Sequence, residues 1–363
     1  MRRLARDVLV MALATGLSRL LGLARETAIA SRFGTSAAYD AFLIAFFVPN
    51  LLRGLLAEGA LSTAFVPIYA RLMAGAGGTV DDRRRADAFA NNLLSLLLVL
   101  FPITVAVGAW LAPYYVPFLA SGFSPEKMAL AVSLTRVVFP FLALIGFAAV
   151  FMGILNAHHR FFAASIAPVW FNAGMILGVL VVARALPDAP ILGLAFGVLI
   201  GGAAQLASQV PALRRLRFAF RFQLLPVHPD LAELARRIAP AVLALAAAQI
   251  NLLVDNKIAS YLPDGGIASL QYAMRLFQLP LGVFAVSIGT ALLPRLSVAH
   301  ARAEATRVSK YLADGITSTA LVLLPAMVGL LIVGRDVIGL LFEHGSFGPE
   351  AATRTFHALS AYV

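Results

Sequence analysis

Along this chain, long apolar runs alternate with short clusters of charge, glycine and proline. A run of about 18 or more apolar residues is long enough for a helix to cross a bilayer. Such runs predict spans near 8–30, 38–62, 89–111, 129–155, 162–184, 191–212, 237–261, 267–293 and 311–333. A tenth begins near 351, and the sequence stops inside it at "FHALSAYV". The chain is therefore expected to be part of a longer one. The fold class predicted is all-α, a polytopic transmembrane helix bundle. The opening "MRRLARDVLVMALATG" has the basic-then-apolar form of a signal peptide. Arg19 and Arg25 interrupt its apolar run, and apolar sequence resumes after residue 37, so it reads as an uncleaved first span.

Composition agrees with this pattern. The chain is 60% hydrophobic and 13% charged, with a mean hydropathy of +0.86. That average leaves no room for the polar shell of a soluble protein of 363 residues. There is no cysteine, which removes disulfide, thiolate and zinc–cysteine chemistry. The net charge of +11 would suit nucleic acid, but its distribution gives another explanation. The N-terminus and alternate connections hold 18 of the 29 basic residues, the opposite connections hold 5, and 6 lie within spans. This bias places the N-terminus in the cytoplasm and makes a nucleic-acid partner unnecessary.

One polar connection is long, residues 213–236. In it Arg215, Arg217 and Arg221 alternate with Leu216, Phe218, Phe220 and Phe222. The pattern suits a segment lying on the inner leaflet, and equally a plain cytoplasmic linker. Either way it separates an N-terminal lobe of six spans, 1–212, from the start of a C-terminal lobe, 237–363. The lobes read as a repeat. "IAS" at 29–31 recurs at 258–260, Pro49 aligns with Pro280, and "FVPIYAR" (65–71) aligns with "LLPRLSVAHAR" (292–302). The offsets are 229, 231 and 227 residues. Both first spans start on the same side, so the repeat is parallel, as in transporters with a site between two lobes.

Ionisable residues within the spans carry the functional signal. The cations are Arg19, Arg25, Arg53, Arg136, Lys257 and Arg275, and the acids counted with them are Asp40, Glu58 and Asp255. Each charge near a helix centre costs about 2.5–3.5 kcal/mol to insert. Ion pairs that fix helix packing are one explanation, with Arg25 and Asp40 as candidate partners. Paired charges should balance, however, and this set has surplus guanidinium. A water-filled cavity lined by arginine is suited to a phosphate-bearing anion, which the planar fork binds bidentately. Gly16, Gly22, Pro49, Gly54 and Gly59 fit bends around such a cavity, and fit ordinary membrane helices as well. Asn251 and Asp255 lie one turn apart, where a carboxylate and an amide carbonyl can ligate Na⁺ or the acid can take a proton. An Asp255–Lys257 charge pair is the other reading.

No enzyme signature appears. The serines lack a partnered histidine and acid, and Gly75–Gly78 lacks the lysine of a phosphate-binding loop. A membrane glycosyltransferase would need large extramembrane loops bearing carboxylates, which this pattern does not predict.

"SRLLGLARETAIASRFG", "DAFLIAFFVPNLLRGLLAEGALSTAFVPIYA", "GILNAHHRF", "IAPVWFN" and "ALLPRLS" strongly resemble the MurJ (MviN) family. These are lipid II flippases of the multidrug/oligosaccharidyl-lipid/polysaccharide exporter superfamily. The resemblance runs along the whole chain. It implies a two-lobed transporter fold of about fourteen helices, of which about ten are present here. It implies movement of lipid II, an undecaprenyl-pyrophosphate glycopeptide, from the cytoplasmic to the outer leaflet of the bacterial inner membrane. It further implies membrane lipids and cell-wall synthesis proteins as partners, and no cofactor beyond Na⁺ or proton coupling. The family's cavity residues fall on Arg19, Arg25, Asp40, Asn50, Arg53, Glu58 and Arg275. Its sodium-site acid falls on Asp255, with Lys257 an unusual neighbour. Met274 stands where many relatives have an acid before the arginine. Transport of another polyprenyl-linked oligosaccharide, multidrug export, and a structural role at the division site are the alternatives to this expectation.

Overall fold

The computed structural model describes residues 2–54, 60–75, 79–302 and 304–363, and among these every regular element is a helix. In chain order they are α1 (Arg2–Phe33), α2 (Ala37–Arg53), α3 (Ala60–Ala74), α4 (Val80–Leu119), α5 (Pro125–Val138), α6 (Phe141–Ala157) and α7 (Phe161–Leu177). They continue with α8 (Ala183–Ala185), α9 (Pro190–Arg215), α10 (Asp230–Ala259), α11 (Gly266–Pro280), α12 (Val286–Ala301), α13 (Ala305–Phe342) and α14 (Pro349–Tyr362). The predicted spans fall mainly on helix where their residues are described; residues 55–59 of the second lie outside the described residues. Among the described residues five stretches are long and apolar enough to cross a membrane: Val80–Leu119, Pro125–Ala157, Phe161–Ala185, Pro190–Arg215 and Ala305–Phe342.

The spans are less uniform than the hydropathy pattern. The span expected over 129–155 is two helices, α5 and α6, meeting at Phe139 and Pro140. Proline has no N–H to continue the ladder. Pro280 ends α11, and the backbone passes through a π-turn, Leu281–Ala285, before α12. A second π-turn, Gly178–Val182, joins α7 to α8. π-Turns inside helices mark local changes of register. At about 1.5 Å per residue, the 40 residues of α4 exceed the thickness of a hydrocarbon core. The surplus length is its charged start, where Thr79 and Asp82 close a capping box.

By packing, the chain forms two compact units. The first is residues 1–29 and 37–263, and the second is 30–36 and 264–363. Such units are defined by contact, whereas the expected lobes were defined by repeat. In the first unit α6 and α7 pack on α9, α2 packs on α5, and α10 packs on α3 and α4. Helices α7 and α9 approach most closely at glycines, since a Cβ at Gly174 would lie 2.3 Å from Gly201 Cα. Small residues let membrane helices make backbone contact in this way. A cluster of Phe101, Phe139 and Leu142 receives Val48, Leu52 and Phe147. In the second unit α11 packs on α14, and α13 on both α12 and α14. Its core holds Tyr272, Phe342 and Phe347, with Tyr272 and Phe342 ring centroids 5.0 Å apart.

The 213–236 connection is not helical between Phe218 and Leu225, and side chains of α4 hold its backbone. Asn91 accepts from Arg221 N at 3.1 Å, Ser95 accepts from Gln223 N at 2.8 Å, and Asn92 accepts from His228 N at 3.0 Å. The alternation of rings and arginines is only partly expressed, because Phe218 is buried while Phe220 and Phe222 are exposed. At the start of α10, Asp230 and Glu233 receive the Arg71 guanidinium from the end of α3, at 2.6 and 2.7 Å.

Candidate functional site

The packing of α2 sets the orientation of two expected site residues. Val48 and Leu52, one turn apart, face the Phe101 cluster. That rotation turns Asn50 and Arg53 to the opposite side of the helix. There Arg53 Nε donates to Asn50 Oδ1 at 3.0 Å. The amide fixes the direction of the guanidinium on this side of the helix.

Arg25 is held more tightly, on the inner face of α1. Its Nη1 donates to Asn172 Oδ1 of α7 at 3.0 Å and lies 3.8 Å from Met175 Sδ. Its Nη2 pairs with Glu26. Asn172 in turn donates to Ser18 O at 3.1 Å, so one amide spans more than a turn of α1. Arg25 Nε is buried with no hydrogen-bond partner among the described residues. Arg19 differs again. It is exposed between Leu17 and Leu20, themselves exposed, and has no carboxylate partner among the described residues.

Asp40 is fully buried, and its partner is Lys127, whose Nζ lies 2.8 Å from Oδ2. The lysine also stands 4.3 Å over the Phe123 ring. An Arg25–Asp40 pair is thus not what forms. Packing of α2 on α5 brings Asp40 to Lys127, while α7 and Glu26 take up Arg25. Glu58 and Gly59 lie outside the described residues. Arg275 is exposed on α11, in the second unit. Arg136 donates to Ala109 O at 3.3 Å, a contact between α5 and α4.

On α10, Asn251 and Asp255 are both exposed. The Asp255–Lys257 pair does not form, because Lys257 turns to the Phe118 ring, 4.4 Å from its centroid. Asp255 and Asn251 together offer two oxygen donors from one helix. Among the described residues no cluster of three or more His, Asp or Glu side chains is able to hold a metal ion.

Three residues of this geometry are absent from the inventory of spans. Glu26 was hidden as the immediate neighbour of Arg25, Lys127 by its place in a connection, and Asn172 by being uncharged. The available signal for Asn172 was a lone amide within the apolar run "IAPVWFNAGMIL". Outside the spans, His158 follows the end of α6, and burial lowers its pKa below the ordinary value.

A helical bundle with oriented guanidinium groups and exposed apolar faces has the form of a membrane transporter, and solved structures agree. An inward-facing multidrug resistance MATE family transporter of the MOP superfamily matches 97% of this chain and 79% of its own, with a TM-score of 0.72. At 19% identity that likeness concerns the fold. The class is a polytopic helical membrane transporter, not an enzyme. The profile of the lipid II flippase MurJ family matches residues 29–363, and the chain belongs to that family.

Relatives are similar over nearly the whole chain. The lipid II flippase MurJ of Burkholderia cenocepacia is 36% identical over 365 residues, covering 99% of this chain and 70% of that protein. A probable lipid II flippase MurJ of Rhizobium meliloti is 36% identical over 350 residues, covering 95% and 64%. A solved lipid II flippase MurJ in an inward closed conformation has a TM-score of 0.81 and 27% identity, covering 97% of this chain and 71% of that one. The chain thus spans about two thirds of the length of the curated relatives it matches.

Proposed function

We propose that this protein moves lipid II from the cytoplasmic to the outer leaflet of a bacterial inner membrane by alternating access. The observation that carries the reading is the Arg53–Asn50 pair, together with an exposed Arg19 that has no carboxylate partner among the described residues. Guanidinium groups, one of them oriented by an amide, suit the two phosphates of a polyprenyl pyrophosphate. In this reading Arg19, Arg53 and Asn50 contact the anion, and Arg25 holds the wall they stand on. Asp40, buried against Lys127, belongs to the frame. Arg275 and Glu58 are assigned to the same substrate by family resemblance. The lipid tail stays in the bilayer, where a polyprenyl chain costs nothing to leave.

The basic bias of the N-terminus, of Arg83–Arg85 and of Arg214–Arg221 supports a cytoplasmic N-terminus. The energy source we assign to the membrane potential acting on the arginine cluster, with any ion site at Asp255 secondary. One elementary charge moved through the field is worth about 2.3 kcal/mol per 100 mV. A drug exporter would favour cations, which the surplus of arginine repels. Purified protein should therefore bind undecaprenyl pyrophosphate in preference to an organic cation such as ethidium. Equal or reversed preference would overturn the assignment.

A further inference from the structure

In the second unit, the end of α12 and the start of α13 form an open cleft of about 320 Å³. Arg295, Val298, Ala299 and Arg302 line it from α12, at positions i, i+3, i+4 and i+7 of one helix face. Glu304, Arg307 and Tyr311 line it from α13, again on one face. The charges in this cavity do not balance. Glu304 is taken by Arg307, at 2.7 Å. Arg295 and Arg302 have no partner among the described residues. The N-cap of α13 is Glu304, whose side chain makes no capping hydrogen bond, and the first turn behind it contains no further acid.

Charge bias alone does not require this arrangement. At the start of α10 the basic residues Arg71 and Arg237 are both met by Glu233, and Arg71 by Asp230 as well. Here two guanidinium groups stay uncompensated at one concave place. Pro294, Val298 and Ala299 give the cavity an apolar wall. Arginines beside an apolar wall suit a phosphate group attached to something less polar. The volume is at the small end for ligand sites, sized for a headgroup and not a whole lipid.

We propose that this cleft binds a phosphate-bearing anion, through Arg295 and Arg302. The ligand chemistry is a phosphate mono- or diester, supplied by an anionic phospholipid headgroup or by free phosphate. The leaflet that supplies a lipid follows from the orientation proposed above, whereas the chemistry of the cleft does not.

The test uses the full chain purified in detergent and native mass spectrometry during titration with phosphatidylglycerol. Phosphatidylcholine is the zwitterionic comparison, and inorganic phosphate the competitor. The first phosphatidylglycerol to bind should weaken at least about tenfold in Arg295→Gln/Arg302→Gln. Arg84→Gln/Arg85→Gln, the same loss of charge elsewhere, should bind as the wild type does. Displacement by millimolar phosphate identifies the soluble source, and resistance to it identifies the lipid. Equal weakening in the two double variants, equal binding of phosphatidylcholine, or binding of neither phosphate nor lipid would overturn the proposal. Labelling of Lys310→Cys by an impermeant thiol reagent reads the side of the membrane separately, so an error of orientation is told apart from an error about the cleft.

Discussion

Lys127 donates to Asp40 across 2.8 Å, with both side chains buried. The contact ties the start of α5 to the start of α2. Breaking one side of a buried pair leaves the other charge uncompensated, at about 3–5 kcal/mol. Asp40→Asn and Lys127→Met should each lower the thermal midpoint in detergent and the steady-state level in cells. The double variant should regain most of the loss. A double variant as unstable as the sum of the singles would show that the two side chains act independently.

Arg19, Arg25 and Arg53 should separate by phenotype. Arg25→Ala takes a cation from buried Glu26 and strips Asn172 of a donor, so protein abundance should fall. Arg19→Ala and Arg53→Ala remove more accessible cations, and should lose support of wall synthesis at normal abundance. Immunoblots beside complementation assays decide this. Full complementation by both of the last two variants would remove the anion-binding role.

The Arg71–Glu233 contact has a defined pH response. The hydrogen bond from Arg71 holds the Glu233 carboxyl below its usual range. A lowered carboxylate pKa contributes above the unfolded value and is lost as pH falls through the folded one. The difference in thermal midpoint between wild type and Glu233→Gln should be constant from pH 8 to 5. It should close below about pH 4. Closure between pH 7 and 6 would instead point to His228.

Orientation is open to direct labelling. Glu126 and Arg84 are both exposed, at the start of α5 and in the first turn of α4. A cysteine at Glu126 should react with an impermeant thiol reagent added outside cells, and one at Arg84 should not. The opposite pattern would reverse the direction of transport.

Voltage and sodium can be varied separately while accessibility is followed. A cysteine at Asn50 should change its labelling when a potassium ionophore collapses the potential at constant pH. Labelling that follows sodium, disappears in Asp255→Asn and ignores the potential would make the ion site primary.

The sequence by itself determined the helices, because a bilayer leaves a buried backbone no other way to satisfy its hydrogen bonds. Among the described residues the predicted spans lie mainly on helix, and family membership was legible in local motifs such as "SRLLGLARETAIASRFG". It also made the ionisable residues conspicuous, since each is costly in hydrocarbon. Which of them pair was decided only by tertiary packing. Asp40 meets Lys127, 87 residues away, and Arg25 meets Asn172, 147 residues away. Hydropathy records how much a residue costs to bury and carries no information about direction. The rotation of α2 on the Phe101 cluster, and the contact of α1 with α7, supply that direction. They separate a cation held in the wall, Arg25, from the more open Arg19 and Arg53, a distinction no reading of spacing makes.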